Sequence, residues 1–314
     1  MDFSRFNVNI FLTEAIFFAA SFIAAILSTL QINKILAAQA EIARLAAKLP
    51  EGASLILPPE LVNIQHLNTP EFITISQFLI AFLFATLFFI VLLKTKYGAA
   101  LFRFIFFIAL FAGAQVIFRV WLSQELSIIL AFLMVIARYV YPRVAIHNIA
   151  IITAICGIAI NLGMNIKPNE AILILIAISV YDCLAVYVTG HMVRMLKNTI
   201  SLGTIFAMIV PQNFHDMIKT VSEVGKEKNI AGDKISQSAY VYLGGGDLAF
   251  PLIMVVVALK IGLYSAIITA SGALIGLLVL NIIFAAQKER RPMAALPPLA
   301  IFSILGFLAS LIKF

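Results

Sequence analysis

Charged side chains are scarce in this chain, at 12% of its 314 residues against ~25% in a typical soluble domain. That shortage excludes a soluble globular protein, because no soluble core needs so many apolar runs of spanning length. Cysteine is nearly absent. Cys156 and Cys183 are the only two, both inside apolar runs, which argues against a disulfide framework. The four histidines, His66, His147, His191 and His215, stand apart with no His-x-x-x-His spacing, and no Cys-x-x-Cys pair occurs. Neither a metal nor a cofactor is expected. Acids are fewer than bases, which gives a net charge of +7. The basic excess lies between apolar runs, where it sets topology rather than marking a nucleic-acid partner. The alternating ~10-residue segments of a membrane β-barrel are missing. So is a clear internal repeat, which leaves an inverted-repeat transporter without direct support. No distinct small-residue cleavage site follows the first apolar run, so that run is read as a retained helix.

What remains is apolar: 62% of the residues are hydrophobic and 26 are Phe. The pattern predicts an all-α polytopic membrane protein. Nine spans are expected, at about 10–32, 72–93, 99–118, 122–140, 144–164, 170–190, 239–259, 262–286 and 296–313. The break between the third and fourth is the weakest, since Arg119 and Gln124-Glu125 barely interrupt the hydrophobicity. Charge supports the count. With the N-terminus cytoplasmic and the C-terminus outside, inner segments carry 15 of the 22 basic residues, as the positive-inside rule requires. A long outer segment, Asn33 to Pro70, holds Pro50, Pro58, Pro59 and Pro70, and its Ala-rich start can extend the first helix beyond the bilayer. A long, polar, basic inner loop follows His191 and divides the chain into residues 1–190 with six spans, 191–237, and 238–314 with three. Within it the mixed-charge stretch from Asp216 to Lys228 suits a short surface helix or a mobile segment.

Two acids are out of place in this setting. Asp247 follows Gly244-Gly245-Gly246 and precedes Leu248-Ala249-Phe250-Pro251. Asp182 lies about two-thirds through the sixth span, in Ser179-Val180-Tyr181-Asp182-Cys183. An ionisable side chain inside a bilayer costs ~2.5–3.5 kcal/mol on insertion scales, and glycines at a helix start add a backbone-entropy cost. Glu14, Glu125 and Glu170 sit near span ends, within reach of the interface. The proposed topology puts Asp182 and Asp247 at equal depth, each roughly 12 Å from the inner interface at 1.5 Å per residue, on antiparallel consecutive helices. Two carboxylates there cannot comfortably both ionise and are expected to share a proton. That arrangement serves water-activating peptide hydrolysis. It also serves a proton relay in a secondary transporter with a broken seventh helix, or a polar pair joining two helices.

The residues also form a set of motifs. Tyr181-Asp182 resembles the YD motif of the presenilins and signal peptide peptidases, and Gly244 to Asp247 matches their GxGD motif. Leu296-Pro297-Pro298-Leu299 resembles their PAL motif with Pro298 in place of the middle alanine. The small size and short loops are similar to microbial, archaeal-type presenilin homologues. The resemblance implies a presenilin-like fold and an intramembrane aspartyl protease with Asp182 and Asp247 as the catalytic pair. It implies Tyr181, Gly244, Gly246, Pro297, Pro298 and Leu299 around the active site, and transmembrane-helix substrates in a lipid bilayer. A homo-oligomer is left open. Pro298 lacks a backbone N–H, which questions any donor role for that position. Plainer readings run beside these. Tyr181 suits a packing aromatic, Gly244 and Gly246 suit close helix packing, and Pro297 and Pro298 suit the start of a ninth helix. Gln115, Arg138, Cys183 and Asn281 read as packing or interface residues.

Overall fold

A computed structural model of the protein describes residues 7–46, 72–92, 95, 97–190, 205–226, 240–287 and 292–312. Ten α-helices and a two-stranded sheet occur among them: α1 (Val8–Ala46), α2 (Ile75–Leu92), α3 (Gly98–Trp121), α4 (Gln124–Val140), α5 (Val144–Met164), α6 (Pro168–Cys183), β1 (Ala207–Pro211), α7 (Val221–Lys226), β2 (Tyr240–Gly244), α8 (Gly245–Leu259), α9 (Leu263–Ala286) and α10 (Leu296–Leu311). Five are long and apolar enough to cross a membrane: α1, α3, α5, α6 with its continuation to Val188, and α9. The apolar parts of α2, α8 and α10 are shorter. The nine expected spans are therefore not reached on length alone. Pro50, Pro58, Pro59 and Pro70, most of the basic 191–237 segment, and Lys288, Arg290 and Arg291 lie outside the described residues.

Several boundaries follow from local chemistry. The fifth span is found over the expected residues, Val144–Met164. The weak break between α3 and α4 falls at Leu122 and Ser123, where the Ser123 hydroxyl accepts from the Leu126 amide and starts α4. Helix α1 runs 39 residues to Ala46, about 58 Å at the standard rise, so the Ala-rich stretch does continue it.

The seventh span is the main departure. Its expected first turn, Tyr240–Gly244, is strand β2. A Tyr-Val-Tyr-Leu sequence favours a strand, and it finds an antiparallel partner in β1, with Ala207 opposite Gly244 and Pro211 opposite Tyr240. Strand β1 is buried along its whole length. The 191–237 segment is thus not uniformly a solvated loop. Its mixed-charge stretch holds α7, with Val221 and Val224 buried against Ile205, Ala207 and Ile209.

Helix α8 forms the centre. From Pro251 to Leu259 each residue is buried, and α1, α5, α6, α9 and α10 pack around it. Lys260, just past its end, donates from Nζ to the Met164 and Ile166 carbonyls, satisfying the C-terminus of α5. Glycines bring the helices close. A Cβ on Gly157 would collide with the Gly113 carbonyl between α5 and α3, and one on Gly306 would lie 2.7 Å from the Ile268 carbonyl oxygen between α10 and α9. Opposite faces stay apolar and open, as with Ile80, Phe84 and Leu87 on α2. Glu14, near the start of α1, turns into the bundle. It is buried and accepts from Asn281 Nδ2 at 2.8 Å, tying α1 to α9.

Candidate functional site

Strand β2 runs straight into α8. Gly244 is the N-cap and Asp247 the third helical residue. The Asp247 carboxylate takes a backbone hydrogen bond from Gly244, so the acid reaches back to cap its own helix. Pro251 cannot donate to the Asp247 carbonyl four residues earlier, which loosens this first turn. Asp247 is 7% exposed.

Asp182 is 6% exposed and comes from the last turn of α6. The helix then widens into a π-helical turn, Leu184–Val188, a feature that recurs at functional sites. Asp182 Oδ2 accepts from the Leu296 amide at 3.2 Å, the first residue of α10. The Ala294 amide donates to the Tyr187 hydroxyl at 3.3 Å, a second tie between α6 and the same segment. The two carboxyl groups lie close enough for their charges to interact.

The structure thus gathers Asp182, Asp247, Gly244 and the Leu296–Leu299 segment. Pro297 and Pro298 occupy the first turn of α10, where a missing N–H costs no intrahelical bond. The backbone donor to Asp182 is Leu296, so Pro298 removes nothing that the geometry uses. Leu299 is fully buried. Tyr181 packs its ring edge-to-face on Phe82 of α2, with centroids 5.1 Å apart.

Several residues here were not singled out from sequence. Gly245 makes a closer backbone approach than Gly246. Its amide donates to the Phe206 carbonyl at 2.9 Å, and a Cβ there would meet that same oxygen at 2.9 Å. A Cβ on Gly246 would lie an ordinary 3.8 Å from the Phe250 ring. Phe78 and Phe82 of α2 link the two acid-bearing helices, since Phe78 meets Phe250 and Phe82 meets Tyr181 edge-on. An apolar cavity of about 200 Å³ lies beside Gly245 and Gly246, walled by Leu110, Ile155, Phe206 and Ala249. The signal that could have found the aromatic link is the i, i+4 spacing of Phe78 and Phe82. No local signal marks the Phe206 contact. Among the described residues no three His, Cys, Asp or Glu side chains converge on a point that would hold a metal.

Two paired acids, a loosened helix start and backbone donors beside them can activate a water against a peptide carbonyl. Comparison with known proteins points the same way. The family model for "Signal-peptide peptidase, presenilin aspartyl protease" matches residues 53–314. Two solved structures of a presenilin family intramembrane aspartate protease, in C222 and P2 space groups, share the fold. The first has a TM-score of 0.58 and 20% identity, covering 96% of this chain and 98% of that one. The second has a TM-score of 0.55 and 22% identity, covering 97% and 96%. No curated protein matches.

Proposed function

Because the chain belongs to the signal-peptide peptidase and presenilin aspartyl protease family, and so is a multi-pass intramembrane aspartyl protease, we propose that Asp182 and Asp247 are its catalytic pair. The observation that carries this reading is the meeting of two buried carboxyl groups from α6 and α8 beside the start of α10.

In the proposed mechanism the pair holds one proton between them. The ionised carboxylate takes a proton from a water, and the resulting oxygen nucleophile attacks the peptide carbonyl carbon. The protonated carboxyl group donates to the carbonyl oxygen as negative charge develops there. The tetrahedral species then collapses, the C–N bond breaks, and a proton passes to the leaving nitrogen. A transmembrane-helix substrate hides its peptide bonds in the i→i−4 ladder, so it must unwind locally first. Gly244 and Gly246 leave room for its backbone, and Tyr181, Pro297, Pro298 and Leu299 border the cleavage position.

The proposed membrane arrangement is six spans, an inner segment at 191–237, and three spans, with the N-terminus cytoplasmic and the C-terminus outside. Its support is the distribution of basic residues. The proton-coupled transporter reading has no comparable support, since the family and the structural neighbours are proteases. Cleavage of a single-span model substrate in liposomes tests the catalytic pair. Asp182→Ala and Asp247→Ala should each abolish it while the protein stays folded, and full activity in either variant removes the reading.

A further inference from the structure

The sheet has two edges, and one of them is closed by side chains. The Gly245 amide bonds to the Phe206 carbonyl, so Phe206 and Gly245 are a hydrogen-bonded pair. Such pairs alternate along an antiparallel ladder. Met208 with Leu243 and Val210 with Val241 are therefore the bonded pairs. Ala207 and Ile209 turn their backbone groups away from β2, toward α5.

There α5 supplies what a third strand would. Asn148 Nδ2 donates to the Ile209 carbonyl at 2.7 Å, and Asn148 Oδ1 accepts from the Ile209 amide at 2.9 Å. His147 Nε2 lies 3.0 Å from the Ala207 carbonyl. Arg138 of α4 sets the ring, with its Nε donating to His147 Nδ1 at 2.9 Å. Arginine has no acceptor, so Nδ1 is the unprotonated nitrogen and Nε2–H donates to Ala207. All three side chains are buried, His147 and Asn148 almost completely. Buried polar groups matched this fully rigidify what they hold.

The consequence lies on the neighbouring strand, where Gly244 stands opposite Ala207. Strand β1 fixes β2, and β2 passes without a linker into the helix turn that carries Asp247. We infer that His147 and Asn148 are positioning residues, which set the placement of Asp247 by closing the free edge of β1. The inference rests on the reading that Asp247 is catalytic. Neither side chain touches the reacting atoms, and neither belongs to the YD, GxGD or PAL-like motifs.

The test uses full-length protein in liposomes with a single-span substrate, comparing Asn148→Leu, His147→Leu, His147→Gln and Asp247→Asn. A displacement of catalytic groups by ~1 Å costs on the order of a hundredfold in rate. Asn148→Leu and His147→Leu should lower kcat tenfold to a hundredfold on that scale, with KM little changed, as expected for a loss felt in the transition state. His147→Gln keeps an N–H donor near the Nε2 position and should restore most of kcat. Hydrogen exchange should show the Ile209 amide losing protection in Asn148→Leu. Wild-type kcat in Asn148→Leu beside an inactive Asp247→Asn overturns the inference alone, as does a raised KM at unchanged kcat. Equal loss in His147→Gln and His147→Leu also overturns it, and that pair decides the matter if Asn148→Leu does not fold. An active Asp247→Asn instead overturns the catalytic assignment itself.

Discussion

The two acid-bearing helices are held in opposite ways. Helix α8 is enclosed, and its last nine residues are buried by five neighbouring helices. Its acid is fixed from behind by β2, β1 and the α5 side chains. Helix α6 is peripheral. Val180, Leu184 and Tyr187 are at least half exposed, and the helix loosens into a π-helical turn just past Cys183, the neighbour of Asp182. Its acid depends on the Leu296 amide and on aromatic contacts with α2. One carboxylate thus belongs to a rigid core and the other to a lipid-facing element tied at a few points. For a protease that must admit a helix from the bilayer, this division puts compliance on one side of the site and precision on the other.

The largest effect should erase the difference. The proposed chemistry needs both acids equally, so Asp182→Asn and Asp247→Asn should each lower cleavage by about a thousandfold or more, as loss of a unit-acting catalytic group does. Substrate cleavage by purified protein measures this. Both variants should keep near-native melting temperatures, because Asn retains an acceptor for Leu296 or Gly244. The wild-type rate should show a bell-shaped pH profile from the shared proton, and either Asn variant should lack it.

The next experiment should restore the difference. A Cβ on Gly163 of α5 would lie 2.7 Å from Val256 Cγ1 of α8. Gly163→Val should therefore overpack the core and destabilise the fold by about 1–3 kcal/mol. Val180→Ala, on the open face of α6, should cost no more than about 0.5 kcal/mol. Thermal unfolding in detergent compares them, and equal losses would mean that α6 is as enclosed as α8.

The sequence disclosed the two helices unequally, for a related reason. Asp182 and Asp247 were legible because an acid in an apolar run is costly wherever it lies. The α5 boundaries were legible because the run is long and uniform. Ser123 marks a helix start by its side chain, although the hydropathy there is nearly continuous. What supports Asp247 was not legible. Ala207–Pro211 is five apolar residues in a basic segment, and its partner, Tyr240–Gly244, lies far along the chain. His147 and Asn148 look like ordinary polar residues near a helix start, since their partners are backbone atoms about sixty residues away. Glu14 reads as an acid near a span end, and nothing local announces its partner Asn281, more than 260 residues away inside the bundle. Non-local pairing of this kind leaves no periodic trace.

The smallest effects concern the peripheral side of the site. If α6 is held through aromatic packing, the ring of Tyr181 matters and its hydroxyl does not. The Phe82–Tyr181 contact is edge-to-face at 5.1 Å, a geometry worth about 0.5–1.5 kcal/mol beyond area burial. Phe82→Ala should lose at least that much stability and should slow cleavage, because α2 then no longer bridges Phe250 and Tyr181. Tyr181→Phe keeps the ring in place and should shift stability by less than about 0.5 kcal/mol, with cleavage close to wild type. Melting curves and initial rates on the two variants separate the cases. A Tyr181→Phe enzyme that folds normally but does not cleave would put the hydroxyl in the chemistry and make α6 a second precise wall of the site.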